Sequence, residues 1–235
     1  MDKIEKLALF GGSFDPPHLG HLAIARAAQA SLALDRVLFA PVGSQPLKPQ
    51  GSTASFEHRL QMVRLAIADE PAFALSEIDA PQPSGRPNFT LDTLLRLRAS
   101  FDHPVRLFCL MGADSFHLLR NWYRAAELPF AAELIVATRP GILLNQLAAE
   151  LPEGIAMDPD PCEVLHEGEN SRWSYRLSTA LGAESRLHLL AAIEHPASAT
   201  TLRHGLMSGF GSSAQSHPHL PESVAGYIRR NILYQ

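Results

Sequence analysis

The stretch LFGGSFDPPHLGHL, residues 9–22, carries two glycines, two prolines and two histidines directly behind an apolar run. Glycine and proline crowded in this way mark a turn. Leu7–Phe10 (LALF) reads as a buried strand, and Leu19–Leu34 has the apolar spacing and alanine content of a helix. The stretch is therefore a strand–turn–helix junction. Gly11 and Gly12 have no Cβ, so their backbone N–H groups can approach a bulky anion. Asp15 followed by Pro16 and Pro17 has the composition of a helix start, a capping acceptor followed by residues that need not donate. The N–H groups and dipole of such an end attract phosphate. His18 and His21, one turn apart, project on the same side and can each donate a hydrogen bond or carry a proton near neutrality. Taken alone, a Gly-Gly turn is also a structural device, and a histidine pair at this spacing also decorates surfaces or binds metal. No third metal ligand is evident nearby. No Walker-type phosphate loop and no Gly-x-Gly-x-x-Gly fingerprint follows the first strand.

Outward from this junction, short apolar runs alternate with helical patterns. Arg36–Val42, Phe73–Ile78, Val105–Met111, Glu133–Thr138 and Leu187–Ile193 read as strands. Ser55–Glu70, with Ser55 as N-cap, a segment from Thr90 to Leu97, a stretch through Trp122–Leu128 and Pro221–Leu233 read as helices. Alternation of this kind implies crossover units and an α/β fold, a doubly wound parallel sheet with helices on both faces. Such sheets bind ligands at the carboxyl ends of their strands, where the opening stretch lies. Residues 155–185 read as an acidic, irregular segment and 198–235 as a C-terminal helical part of one domain spanning 1–235.

With 235 residues, 46% hydrophobic and 19% charged, the chain has the makeup of an ordinary globular protein. A formal charge of −4 gives no general pull toward nucleic acid or an anionic membrane, so an anionic ligand needs a local cluster of donors. No apolar segment reaches the roughly 20 residues that span a bilayer. The two cysteines, Cys109 and Cys162, and the charged start of the chain point to a cytoplasmic setting. A homo-oligomer is compatible with the sequence but not read from it.

GGSFDPPHLGH closely resembles the signature of nucleotidyltransferases with a His-x-Gly-His motif and, within them, the bacterial nicotinate-mononucleotide adenylyltransferases. PLKP (46–49), NFTLDTL (88–94), MGADSFHLLRNWYR (111–124), ATRPG (137–141), SATTLR (198–203) and LPESVAGYIRRNILY (220–234) resemble that family's further landmarks, in its order. The resemblance covers nearly the whole chain. It implies a Rossmann-like fold and the joining of ATP to nicotinate mononucleotide, giving nicotinate adenine dinucleotide and pyrophosphate in NAD biosynthesis. It further implies that His18, His21, Lys48 and Arg203 act on the phosphates and that Gly11, Gly12, Ser13, Phe14, Asp114, Ser198 and Thr200 bind ATP. Trp122 would stack on the pyridine ring, and backbone donors near Thr90 and Tyr123 would receive the nicotinate carboxylate. Mg2+ would arrive on the ATP phosphates, and no protein-borne metal site is implied. A phosphate monoester is already ionised near neutrality, so the reaction needs alignment and charge stabilisation rather than a strong base.

Three features depart from the family pattern. Ala199 stands where the motif carries a second serine, residues 210–219 replace a more basic stretch, and residues 155–185 have no clear counterpart. A nicotinamide-preferring enzyme, another nucleotidyltransferase and a non-catalytic nucleotide-binding protein are the alternative readings.

Overall fold

The computed structural model describes residues 4–47, 51–138, 144–167, 170–190, 199–206 and 218–234. In chain order the elements begin with strand β1 (Glu5–Gly12), helix α1 (Leu19–Leu32), β2 (Arg36–Pro41), α2 (Phe56–Ala66), β3 (Phe73–Leu75), α3 (Thr90–Ala99) and β4 (Val105–Gly112). They continue with α4 (Ala113–Phe116), α5 (Leu128–Ala131), β5 (Glu133–Ala137), α6 (Leu144–Ala149), β6 (Ile155–Met157) and β7 (Glu163–Glu167). The last are β8 (Asn170–Thr179), β9 (Glu184–Leu190), α7 (Ala199–Gly205) and α8 (Glu222–Arg230). The α/β alternation expected from the sequence is present, and the strand candidates fall within a few residues of their observed bounds, with the 191–193 end of the last candidate outside the described residues.

The chain divides into two compact units. The first comprises Met1–Phe10, Ile24–Val37 and Phe89–Glu194. Its sheet runs β1-β4-β5-β9-β8-β6, with β7 also on β8. The pairs β1–β4, β4–β5 and β5–β9 are parallel. Strands of this kind are covered on both faces and read as unbroken apolar runs. Leu7–Phe10, Leu107–Met111 and Leu134–Ala137 are accordingly all buried.

Two expectations fail in this unit. Residues 155–185 are not irregular: β8 pairs antiparallel with β9 along one edge and with β7 and β6 along the other. The alternation of Trp173, Tyr175 and Leu177 was the available signal, outweighed by the polar residues between them. No helix forms through Trp122–Leu128. A 3-10 turn at Leu119–Asn121 precedes that stretch and another lies within it at Ala125–Glu127, just after Arg124 at a left-handed φ of 51°, and Pro129 sits in the first turn of α5.

A polar chain runs across adjacent strands. Arg106 donates two hydrogen bonds to Glu133, at 2.6 and 2.8 Å. Glu133 also pairs with His188 Nε2 at 2.9 Å, and His188 Nδ1 with the Ser174 hydroxyl at 2.9 Å. Burial would raise the Glu133 carboxyl, but the bonds from His188 and Arg106 outweigh it and hold the group at about 2. Burial pushes His188 down, against the pull of Glu133. Neutral His188 then donates from Nε2 and accepts at Nδ1, which satisfies all three polar groups.

The second unit comprises Gly11–Ala23, Leu38–Asn88 and His195–Gln235. Here β3 lies beside β2, and Phe39 packs on Phe73 with centroids 5.4 Å apart. The N–H of Val42, just past β2, donates to the carbonyl of Gly12 at the end of β1, 2.9 Å away. Helix α2 is capped by Ser55, whose hydroxyl accepts the His58 N–H at 3.3 Å, as the sequence predicts. Helix α8 joins α2 through Tyr227 and His58 at 2.9 Å and through Ser223 to the Leu65 carbonyl at 3.1 Å.

Candidate active site

In the second unit, the chain leaves β1 through Gly11–Pro17 and enters α1 at Leu19. Gly11 is exposed, and a Cβ on it would meet nothing within 4 Å. Phe14 takes a left-handed φ of 47° and folds inward, edge-on to the His21 ring at 5.0 Å and against Phe39 at 5.5 Å. Its ring would lie 3.3 Å from any Cβ on Gly12, so the second glycine makes room for it. Ser13 donates its hydroxyl hydrogen to Gln45 at 2.9 Å.

Asp15 does not cap α1. Its carboxylate accepts the N–H groups of Thr53 at 2.6 Å and Ala54 at 3.1 Å and the hydroxyl of Tyr234 at 2.6 Å. His18 holds the position before the helix instead, and its carbonyl accepts the N–H of His21 at 2.9 Å. The reason is geometric: two prolines separate Asp15 from the first helical turn, which puts its carboxylate out of reach of the early helical N–H groups.

The imidazoles of His18 and His21 stack with centroids 3.7 Å apart and planes inclined by 27°. The backbone N–H of His18 donates to Nδ1 of His21 at 3.1 Å. With Nδ1 accepting, the neutral ring carries its proton on Nε2, which makes that nitrogen a donor.

Arg203, on α7, donates from Nη1 to the Asp15 carbonyl at 2.7 Å and from Nη2 to the Thr200 hydroxyl at 3.4 Å. Arg59 braces the same turn from within: it donates to the Ser13 carbonyl and to the Val42 carbonyl, each at 2.8 Å. Burial pulls its pKa down, and neighbouring Asp15 opposes that. Gly11–Phe14, His18, His21, Thr200 and Arg203 are thus gathered around one turn, with the residues that hold it. Lys48 and Ser198 lie outside the described residues.

The first unit holds the remaining candidates. Asp114 is exposed on α4, immediately after β4. Tyr123 is 46% exposed, and its ring lies on Phe89 with centroids 4.4 Å apart. Phe89 precedes α3, so this contact brings Tyr123 to the amino end of the helix that Thr90 begins. The first N–H groups of a helix have no partner within it, and they are the backbone donors at Thr90. Trp122 is half-buried after a 3-10 turn. Among the described residues no group of three histidine, cysteine, aspartate or glutamate side chains could hold a metal ion.

Sequence reasoning missed Arg59 and Tyr234. Arg59 carried a signal, because it shares the buried stripe of α2 with Met62, Val63 and Ala66. An arginine at an apolar position of a helix must find partners inside. Tyr234 carried none, since its role depends on a contact 219 residues away in sequence.

The model of the Cytidylyltransferase-like family matches residues 9–204. A protein of Gloeobacter violaceus named "Probable nicotinate-nucleotide adenylyltransferase" is 36% identical over 98% of this chain and 96% of its own. One of the same name from Xylella fastidiosa strain M12 is 35% identical over 96% of this chain and 94% of its own. Among solved structures, the Plasmodium falciparum nicotinic acid mononucleotide adenylyltransferase complexed with NaAD aligns with a TM-score of 0.65 at 13% identity, covering 98% of this chain and 97% of that one, a likeness of fold. The α/β architecture, the turn behind β1 and this full-length similarity agree: the chain belongs to the Cytidylyltransferase-like family, among the nicotinate-nucleotide adenylyltransferases.

Proposed function

We propose that this protein transfers the adenylyl group of ATP to nicotinate mononucleotide in NAD biosynthesis. A phosphate oxygen of the mononucleotide bonds to the α-phosphorus of ATP. The bond from that phosphorus to the bridging oxygen breaks, and pyrophosphate leaves with the electron pair. The attacking oxygen is already anionic near neutral pH, so no strong base is required. The work is to align two polyanions and to stabilise charge on the phosphoryl group in flight.

The observation that carries this reading is the fixed tautomer of His21. A neutral imidazole bonded at Nδ1 offers an N–H at Nε2 to a phosphoryl oxygen, and the stacked His18 offers a second ring. Arg203 matches phosphate as a planar fork of donors, and Lys48 serves as a point charge. Gly11–Phe14, Thr200, Ser198 and Asp114 complete the ATP contacts. Trp122 stacks on the pyridine ring, and the N–H groups near Thr90 and Tyr123 take the nicotinate carboxylate. Mg2+ enters with ATP, held by phosphate oxygens and water. The loss of a hydroxyl at Ala199 is met by backbone N–H groups. The setting is the cytoplasm.

Pyrophosphate release from ATP and nicotinate mononucleotide tests the proposal, with nicotinamide mononucleotide as competitor. Turnover with the acid form is expected to dominate. Preference for the amide would reassign the substrate, and no release with either would overturn the reading.

A further inference from the structure

Asp15 poses a problem for the phosphate reading. It is a carboxylate in the middle of a turn that is to receive a polyanion, and it is 3% exposed. An ionised carboxylate repels phosphate unless its lone pairs are taken up by donors. Two of those donors are the N–H groups of Thr53 and Ala54. The third is the hydroxyl of Tyr234, which lies 2.6 Å from Oδ1 and is itself 5% exposed.

We propose that Tyr234 is a positioning residue of the ATP site: its hydroxyl occupies the Asp15 carboxylate and so keeps Arg203 available to the triphosphate. The inference rests on the function proposed above and deepens it. Arg203 stands at a branch point. Its Nη1 donates to the Asp15 carbonyl at 2.7 Å and makes only a long ion pair, 4.0 Å, with Oδ2 of the Asp15 carboxylate, the oxygen that accepts the Thr53 N–H. With the Tyr234 hydroxyl in place, the carboxylate is served and the guanidinium bonds the carbonyl. Without it, Oδ1 keeps, among the described residues, only the 3.1 Å bond from Ala54, and the nearby guanidinium is the natural replacement. A guanidinium drawn from the long pair into a close one with the carboxylate is lost to phosphate.

The surroundings keep the hydroxyl where it is. Ile232 and Tyr234 both take left-handed φ values, 52° and 62°, conformations that persist where neighbouring structure holds them. Helix α8, just before them, is anchored on α2 by Ser223, whose hydroxyl donates to the Leu65 carbonyl at 3.1 Å. The same stretch of chain touches the turn a second time, where the N–H of Leu19 donates to the His219 carbonyl at 2.9 Å. Burial and the bond to Asp15 both push the Tyr234 hydroxyl well above the ordinary tyrosine range, so it stays a donor at any working pH.

The test compares Tyr234→Phe with Tyr227→Phe, which removes a hydroxyl from α8 without touching Asp15. ATP affinity by calorimetry and the KM values for ATP and nicotinate mononucleotide are the readouts. Tyr234→Phe is expected to weaken ATP about tenfold, the loss of one hydrogen bond to a charged group, with the mononucleotide KM unchanged. Tyr227→Phe should leave both constants near wild type. In Asp15→Asn/Tyr234→Phe the charge that captures Arg203 is gone, and several-fold recovery of ATP affinity is expected. Wild-type ATP affinity in Tyr234→Phe overturns the proposal, as do equal losses for both substrates matched by Tyr227→Phe. If the wild-type protein binds ATP but releases no pyrophosphate, the function reading falls while the ATP comparison still decides the role of Tyr234.

Discussion

The ring of His21 is held by the backbone of His18, N–H to Nδ1 at 3.1 Å, within a single helical turn. The donor face of His21 is therefore set by a main-chain N–H. His21→Ala removes the donor and leaves the turn's other bonds in place. We expect kcat to fall at least a hundredfold, the scale for losing one donor to a developing charge, with the circular dichroism spectrum unchanged. Near-normal turnover in the folded variant would remove His21 from the mechanism.

Trp122 is half-buried and stands beside Tyr123, whose ring already rests on Phe89. Stacking of a base on an aromatic ring contributes about 1–3 kcal/mol. Trp122→Ala should raise the KM for nicotinate mononucleotide ten- to a hundredfold and leave that for ATP within about twofold. Equal increases for both would make Trp122 a packing residue only.

The Arg106–Glu133–His188–Ser174 chain predicts an acid-sensitive fold. Glu133 titrates at about 2 in the folded protein against 4.5 ordinarily, so its contribution is full above pH 4.5 and drains away as pH falls toward 2. His188 is shifted down from 6.5, so below that value the unfolded chain gains a proton that the folded one resists. Both act in one direction: stability declines as the solution becomes more acidic. In urea titrations, the fall in unfolding free energy between pH 6.5 and 3 should be shallower for Glu133→Gln than for wild type. Parallel curves would show that the chain contributes nothing to the pH dependence.

Gly43 sits where two loops meet. Its N–H donates to the Asp79 carbonyl at 2.7 Å, and a Cβ would fall 2.3 Å from the backbone nitrogen of Pro81. Backbone cannot swing aside as a side chain can. Gly43→Ala is expected to destabilise the protein by about 2–3 kcal/mol, measured by chemical denaturation. A change below about 0.5 kcal/mol would mean that the 80–81 loop moves freely.

The fold was legible wherever burial on both faces of the sheet makes an unbroken apolar run, as at Leu7–Phe10 and Val105–Met111. It was illegible at β6–β8, where Arg172 and Ser174 are buried by partners that no local pattern reveals: Arg172 bonds the Ser31 carbonyl at 2.9 Å and pairs with Glu163. The gathering of Gly11, Gly12, His18 and His21 at one turn behind β1 was readable because these residues are neighbours in sequence. Asp15 was misread as a helix cap because local composition cannot show the backbone of Thr53 and Ala54 arriving from elsewhere. Arg59 and Tyr234 act at the same turn across 46 and 219 residues of chain, and distances of that kind leave no local trace.

The far margin of the first unit's sheet has a practical consequence. Beyond β8 the ladder is shared end to end by β7 over residues 163–167 and β6 over residues 155–157, with a connecting loop that returns to β8 through the Asp158 and Cys162 N–H groups. Among the described residues no uninterrupted row of donors and acceptors therefore faces outward along that side. Foreign strands extend a sheet where they find such a row, so this interrupted border is a poor template for fibril-like growth.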